Sequence, residues 1–246
     1  MYFSGSSPRL FEAGHNSAGV TRPSKTWFFA EGATGPYFDT YILASNATGT
    51  PATVHFTYRT GEGVVIADTR TVPANSRLTV NVEDVDPALA NVAVSTSLVS
   101  NVSIVAERAM YWPGPATTWF EAHNSFGVTE TAETWAVADC REGGALGFET
   151  YVLVVNPEDV PAQIRLSFIR ANADPVVKTI EVPPNSRRNI TLGVDAPELL
   201  DAAGTEYGLL LQTRNLTKIA VERATYWDSG GQNWAGGNNV TATRLP

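Results

Sequence analysis

Cysteine, lysine and unbroken apolar runs are what this 246-residue chain has least of. Its single cysteine, Cys140, excludes an internal disulfide, so packing and hydrogen bonding have to hold the fold. Lysine occurs only at Lys25, Lys178 and Lys218, and 17 basic against 25 acidic residues leave a net charge of −8. Such a surface is not expected to take nucleic acid or an anionic lipid face as partner. No stretch approaches the roughly eighteen apolar residues of a membrane span, so no membrane insertion is expected. The first residues do not read as a signal peptide, which leaves any export signal to an upstream segment. The lone thiol has no His-based signature beside it. No histidine has a second His or Cys at ligand spacing, so neither a metal site nor a cofactor is expected. With 43% hydrophobic and 17% charged residues, the chain is nonetheless a folded one.

What is present is present twice. Thr26-Trp27-Phe28-Phe29-Ala30-Glu31 returns 108 residues later as Thr134-Trp135-Ala136-Val137-Ala138-Asp139. Val72-Pro73-Ala74-Asn75-Ser76-Arg77 returns after 110 residues as Val182 to Arg187, and Glu107-Arg108-Ala109-Met110-Tyr111-Trp112 after 115 as Glu222 to Trp227. A period this long suits a self-sufficient small domain better than a solenoid repeat. Met1-Tyr2-Phe3 matches Met110-Tyr111-Trp112, so residues 1–23 read as the tail of a preceding copy and the chain as an excerpt of a longer array.

Alternation with period two dominates both copies. Val54, Phe56 and Tyr58 alternate with His55, Thr57 and Arg59, and Ile164, Leu166 and Phe168 with Arg165 and Ser167. Copy one reads as strands near 26–31, 38–46, 52–60, 64–72, 77–82, 92–99 and 102–112. Seven short strands parted by turn-rich pieces predict an all-β chain of two tandem immunoglobulin-like β-sandwich domains. Helix is confined to single turns near 86–90 and 196–202, each marked by a proline. The expected division is a tail at 1–23, repeat 1 at 24–112, a linker at 113–131, repeat 2 at 132–228 and a linker-like end at 229–246. The linker keeps an aromatic, a histidine and an Asn-Ser-x-Gly turn, features of a structured hairpin rather than a free tether.

The sharpest candidates lie at the strand ends. Arg108 follows the core-facing side of its strand, where a guanidinium needs a carboxylate, and acid recurs at the equivalent positions Glu31 and Asp139. Structural pairs Arg108–Glu31 and Arg223–Asp139 are therefore expected. His15 and His123 are the only repeating histidines; they suit hydrogen bonds within the hairpin and stand with Trp119 and Trp234 as candidate ligand-binding residues. Trp27, Trp112, Trp135 and Trp227 open or close strands as plugs, whereas Trp119 and Trp234 lie in linker-like stretches and are better placed as aromatic platforms for a ligand such as a sugar. The acidic loops Glu83–Asp86 and Asp195–Glu198 lack the glycine-centred ladder of a calcium site.

Trp27–Gly32, Phe38–Asn46, Pro73–Arg77 and Glu107–Trp112 resemble tandem immunoglobulin-like modules of large bacterial secreted or cell-surface proteins. The resemblance spans both copies and implies an exported, non-enzymatic stalk, spacer or adhesion segment. Its implied partners are neighbouring repeats of the same chain, and a surface glycan or protein. The rival expectation is a carbohydrate-binding module, such as an accessory of a secreted hydrolase.

Overall fold

The computed structural model describes residues 2–4, 11–114 and 117–246. Of the expected tail, residues 1 and 5–10 lie outside the described residues, while β1 (Tyr2–Ser4) and β2 (Phe11–Gly14) form an antiparallel hairpin. The first half of the chain then runs β3 (Ser24–Phe29), β4 (Asp39–Asn46), β5 (Ala52–Thr60), β6 (Val65–Val72), β7 (Ser76–Asn81), β8 (Val94–Gly114) and β9 (Thr117–Phe126). The second half follows with β10 (Thr134–Glu142), β11 (Glu149–Asn156), β12 (Ala162–Ile169), β13 (Val176–Val182), β14 (Ser186–Thr191), β15 (Thr205–Thr213), β16 (Ala220–Ser229), β17 (Gln232–Thr241) and β18 (Thr243–Arg244). Among the described residues helix is limited to the short turns Pro87–Leu89, Leu192–Asp195 and Pro197–Leu199. The chain is thus all-β, and every strand pair is antiparallel.

In the second half the sheets are ordered β13-β12-β15-β10-β18 and β14-β11-β16-β17. The first half repeats this, with one long strand doing the work of two. The start of β8 pairs with β5 and β3, and its end with β4 and β9. Ser100-Asn101-Val102 continues the strand with an irregular register against β3, and the Asn101 side chain accepts the Thr53 N–H as Asn215 accepts that of Gln163. The halves also repeat each other bond for bond. Asn46 Nδ2 donates to the carbonyls of Thr50, Val72 and Pro73, and Asn156 Nδ2 to those of Val160, Val182 and Pro183. Trp27 Nε1 donates to Ser24 and Ile104, and Trp135 Nε1 to Ala132 and Ile219.

Two expectations change. The immunoglobulin order sets the first two strands of the domain side by side. Here β3 and β4 belong to opposite sheets, bridged where Thr40 Oγ1 donates to the Ala33 carbonyl at 2.5 Å. Thr150 and Arg141 make the same bridge between β10 and β11. Residues 113–131, expected as a structured hairpin, carry β9, and residues 229–246, expected as a linker-like end, are largely strand. β9 pairs with β8, β17 with β16, and β18 with β10, while Phe28 and Val128 exchange two backbone hydrogen bonds. Their turns and polar residues mark hairpins, but the neighbouring strand turns them into sheet.

Each half closes its own core between its two sheets. Val54, Phe56, Tyr58, Trp27, Phe29 and Leu98 are buried in one, and Ile164, Leu166, Phe168, Trp135 and Leu211 in the other. A buried Phe56 or Phe168 side chain contributes about 1.5–3 kcal/mol. A third apolar cluster has members from both halves and sits where they meet.

Candidate functional site

The meeting surface is the outer face of the β14-β11-β16-β17 sheet. On β16 the side chains of Val221, Arg223 and Thr225 face the second core, which turns Ala220, Glu222, Ala224 and Tyr226 outward. Leu153 and Val155 of β11 join them, and this face packs on Ala30, Trp112, Phe28 and Phe38 of the first half. Tyr226 stacks on Trp234 at 4.8 Å between ring centroids, and Phe38 packs beside both.

A charge cluster is set into this apolar contact. Glu222 Oε2 accepts from Arg108 Nη1 at 2.6 Å and from the Glu31 backbone N–H at 2.8 Å. Arg108 Nη2 lies 2.9 Å from Glu31 Oε2 and donates to Ser125 Oγ at 2.7 Å, while Nη1 also reaches the Glu31 carbonyl. The Tyr226 hydroxyl donates to Glu31 Oε1 at 3.0 Å, and His123 Nε2 lies 3.3 Å from that hydroxyl. Arg187 adds a second cation, its Nε donating to the Ala30 carbonyl and Nη2 to Asn189 Oδ1. Arg108 and Glu222 are fully buried, and Glu31 and Arg187 are 4% and 3% exposed. Two guanidiniums thus face two carboxylates, the pairing that buried charge requires.

Burial raises the Glu31 and Glu222 carboxyls above their ordinary range, with Arg108 opposing. Arg108 itself remains a cation, because Glu222 and Glu31 outweigh the effect of its burial. Burial lowers Arg187 to about 10. His123 is held well below its ordinary value by burial and then by Arg108, and so is neutral at pH 7.

The same positions look different where no partner covers them. Ala138 and Asp139 are exposed although their counterparts Ala30 and Glu31 are buried, and Arg77 is exposed although Arg187 is not. Arg223 donates to the Asp139 carbonyl at 2.7 Å, to its carboxylate at 3.3 Å and to Asn238 Oδ1 at 3.0 Å. Among the described residues no second carboxylate stands beside it, as Glu222 stands beside Arg108 together with Glu31.

The ion-pair candidates are therefore brought together within each half: Arg108 with Glu31, and Arg223 with Asp139. His15 Nε2 is 2.9 Å from the Asn124 carbonyl, and its ring lies 6.1 Å from that of His123. Trp234 does not stand free as a platform. It lies in the joint, with Nε1 donating to Glu149. Trp119 is 43% exposed, stacked on Tyr111 at 4.7 Å, with Nε1 donating to Asp39. Cys140 is buried, and that burial pushes its thiol up to about 12, far from nucleophilic. Among the described residues no three His, Cys, Asp or Glu side chains converge on a metal position. In the acidic loops Asp86 caps the turn at Ala88, and Asp195 binds Arg188. Glu222 and Arg187 were not singled out by their sequence, since outward positions on a strand read as solvent-facing. The available signal was β11, where Val152-Leu153-Val154-Val155 abandons alternation because both of its faces are covered.

No protein-family model and no curated protein matches the chain. Among solved structures, Thermotoga maritima 1070 is 14% identical over 45% of this chain and 97% of its own, with a TM-score of 0.40. The Anabaena sensory rhodopsin transducer is 23% identical over 37% of this chain and 91% of its own, with a TM-score of 0.32. At these scores the likeness assigns neither fold nor function to this chain.

Proposed function

We propose that the protein is a non-catalytic structural segment, a spacer or stalk built of two β-sandwich units, from an exported bacterial protein. The units are immunoglobulin-like only in the broad sense of two packed antiparallel sheets. One observation carries the reading: the most heavily buried charges of the molecule, Arg108, Glu222, Glu31 and Arg187, are spent on locking one unit to the next. A flexible tether needs no such lock. A spacer that transmits position or force does.

Spin labels at Thr71→Cys on β6 and Thr179→Cys on β13 test it, because buried Cys140 stays unlabelled. A narrow distance distribution across the joint is expected; a broad one, typical of a hinged pair, contradicts the reading. The carbohydrate reading keeps one supporting observation, the exposed Trp119 stacked on Tyr111. Retention on a glycan array by the wild type and its loss in Trp119→Ala would favour that alternative.

A further inference from the structure

The molecule carries two uncovered surfaces, and they are the two sides of its own joint. On the second half, Ala136, Ala138, Ile169, Leu210 and Leu245 line an apolar depression on the outer face of the β12-β15-β10 sheet. Ile169 is 46% exposed there, at the position of Arg59, which is buried in the joint. Asp139, next in sequence to Ala138, pairs with Arg223 as Glu31 pairs with Arg108 in the joint. On the first half, the outer face of β4 and β8 carries the half-buried Glu107, Tyr41 and Leu43 and the buried Ala109, with the exposed Trp119 of β9 beside them. These occupy the places of Glu222, Tyr151, Leu153, Ala224 and Trp234, and every one is the same residue type. Glu107 has no ion-pair partner among the described residues.

An apolar patch alone does not say what covers it. This one has a template, since the complementary contact is already made once inside the molecule. We propose that a second copy of this chain docks head to tail, with Glu107 of one copy entering the Arg223–Asp139 site of the next. The inference rests on the spacer reading and adds to it a direction of assembly. Charge agrees with the match: Arg77, the counterpart of Arg187, arrives with Glu107, so two guanidiniums again meet two carboxylates. The contact joins two different surfaces and does not close on itself, so it propagates into a filament. β2 packs against β9 as β9 packs against β17, so the β17 of an incoming copy takes the place of the β1–β2 hairpin, which moves aside.

The joint forms within one chain at an effective concentration on the order of mM, so sedimentation velocity of the full chain should reach about 1 mM. The wild type is expected to associate as concentration rises. Glu107→Arg and Ala138→Arg, both at positions outside the cores, each stay monomeric. Their equimolar mixture stops at a one-to-one dimer, because each variant keeps one intact surface. Glu107→Gln, which adds no bulk, weakens association at least about tenfold. A wild type that stays monomeric throughout overturns the docking, as does either Arg variant associating alone like the wild type. A narrow label distance combined with a monomeric wild type removes the docking and leaves the spacer reading in place.

Discussion

Buried ionisable groups set the chemistry of this molecule residue by residue, and not all of them are paired. Arg108 is answered by two carboxylates and two neutral acceptors, whereas Glu121 on β9 is 8% exposed and, among the described residues, its carboxylate accepts only the Ala122 N–H. Burial lifts Glu121 from 4.5 to about 7. A carboxyl raised on folding binds more protons folded than unfolded between those values, so it lowers stability as pH rises through the window. Its ionised form costs stability in full above about 7 and nothing below about 4.5. Glu121→Gln is therefore expected to melt above the wild type at pH 8, with the gap closing near pH 4. Thermal unfolding of both proteins at the two pH values checks this, and an equal gap at both would refute it. His123 acts in the opposite sense: held neutral by burial, it costs stability as pH falls below its ordinary 6.5.

Among the elements, the last two strands are the clearest departure from the sequence reading. β17 contains Gly236, Gly237 and a run of asparagines, a composition poor in strand formers. It is a strand because β16 supplies a hydrogen-bonding edge over its length and because Asn238 accepts from Arg223. A chain ending at Ser229 should accordingly melt well below the full chain; an unchanged melting temperature would mean that residues 230–246 are the loose end their composition suggests. Where alternation is strict, as in β5 and β12, strand and inward face were legible, and for β5 the bounds as well. The expected break between 99 and 102 failed because a strand can pass from one sheet to the other without a turn. Pairing order was not legible, since a count of short strands leaves open which edges meet.

The all-β class of the whole molecule could be read from residues alone. The joint could not, because its partners are 114 residues apart and lie on opposite units. Only the unbroken apolar run of β11 hinted at it. This joint makes the two halves one body, and calorimetry of wild type and Glu222→Ala measures the coupling. Removing one partner of a buried charge pair costs about 3–5 kcal/mol. The wild type should unfold in a single cooperative transition that splits into two in Glu222→Ala as the halves uncouple. Two separate transitions in the wild type, unmoved by the substitution, would contradict it.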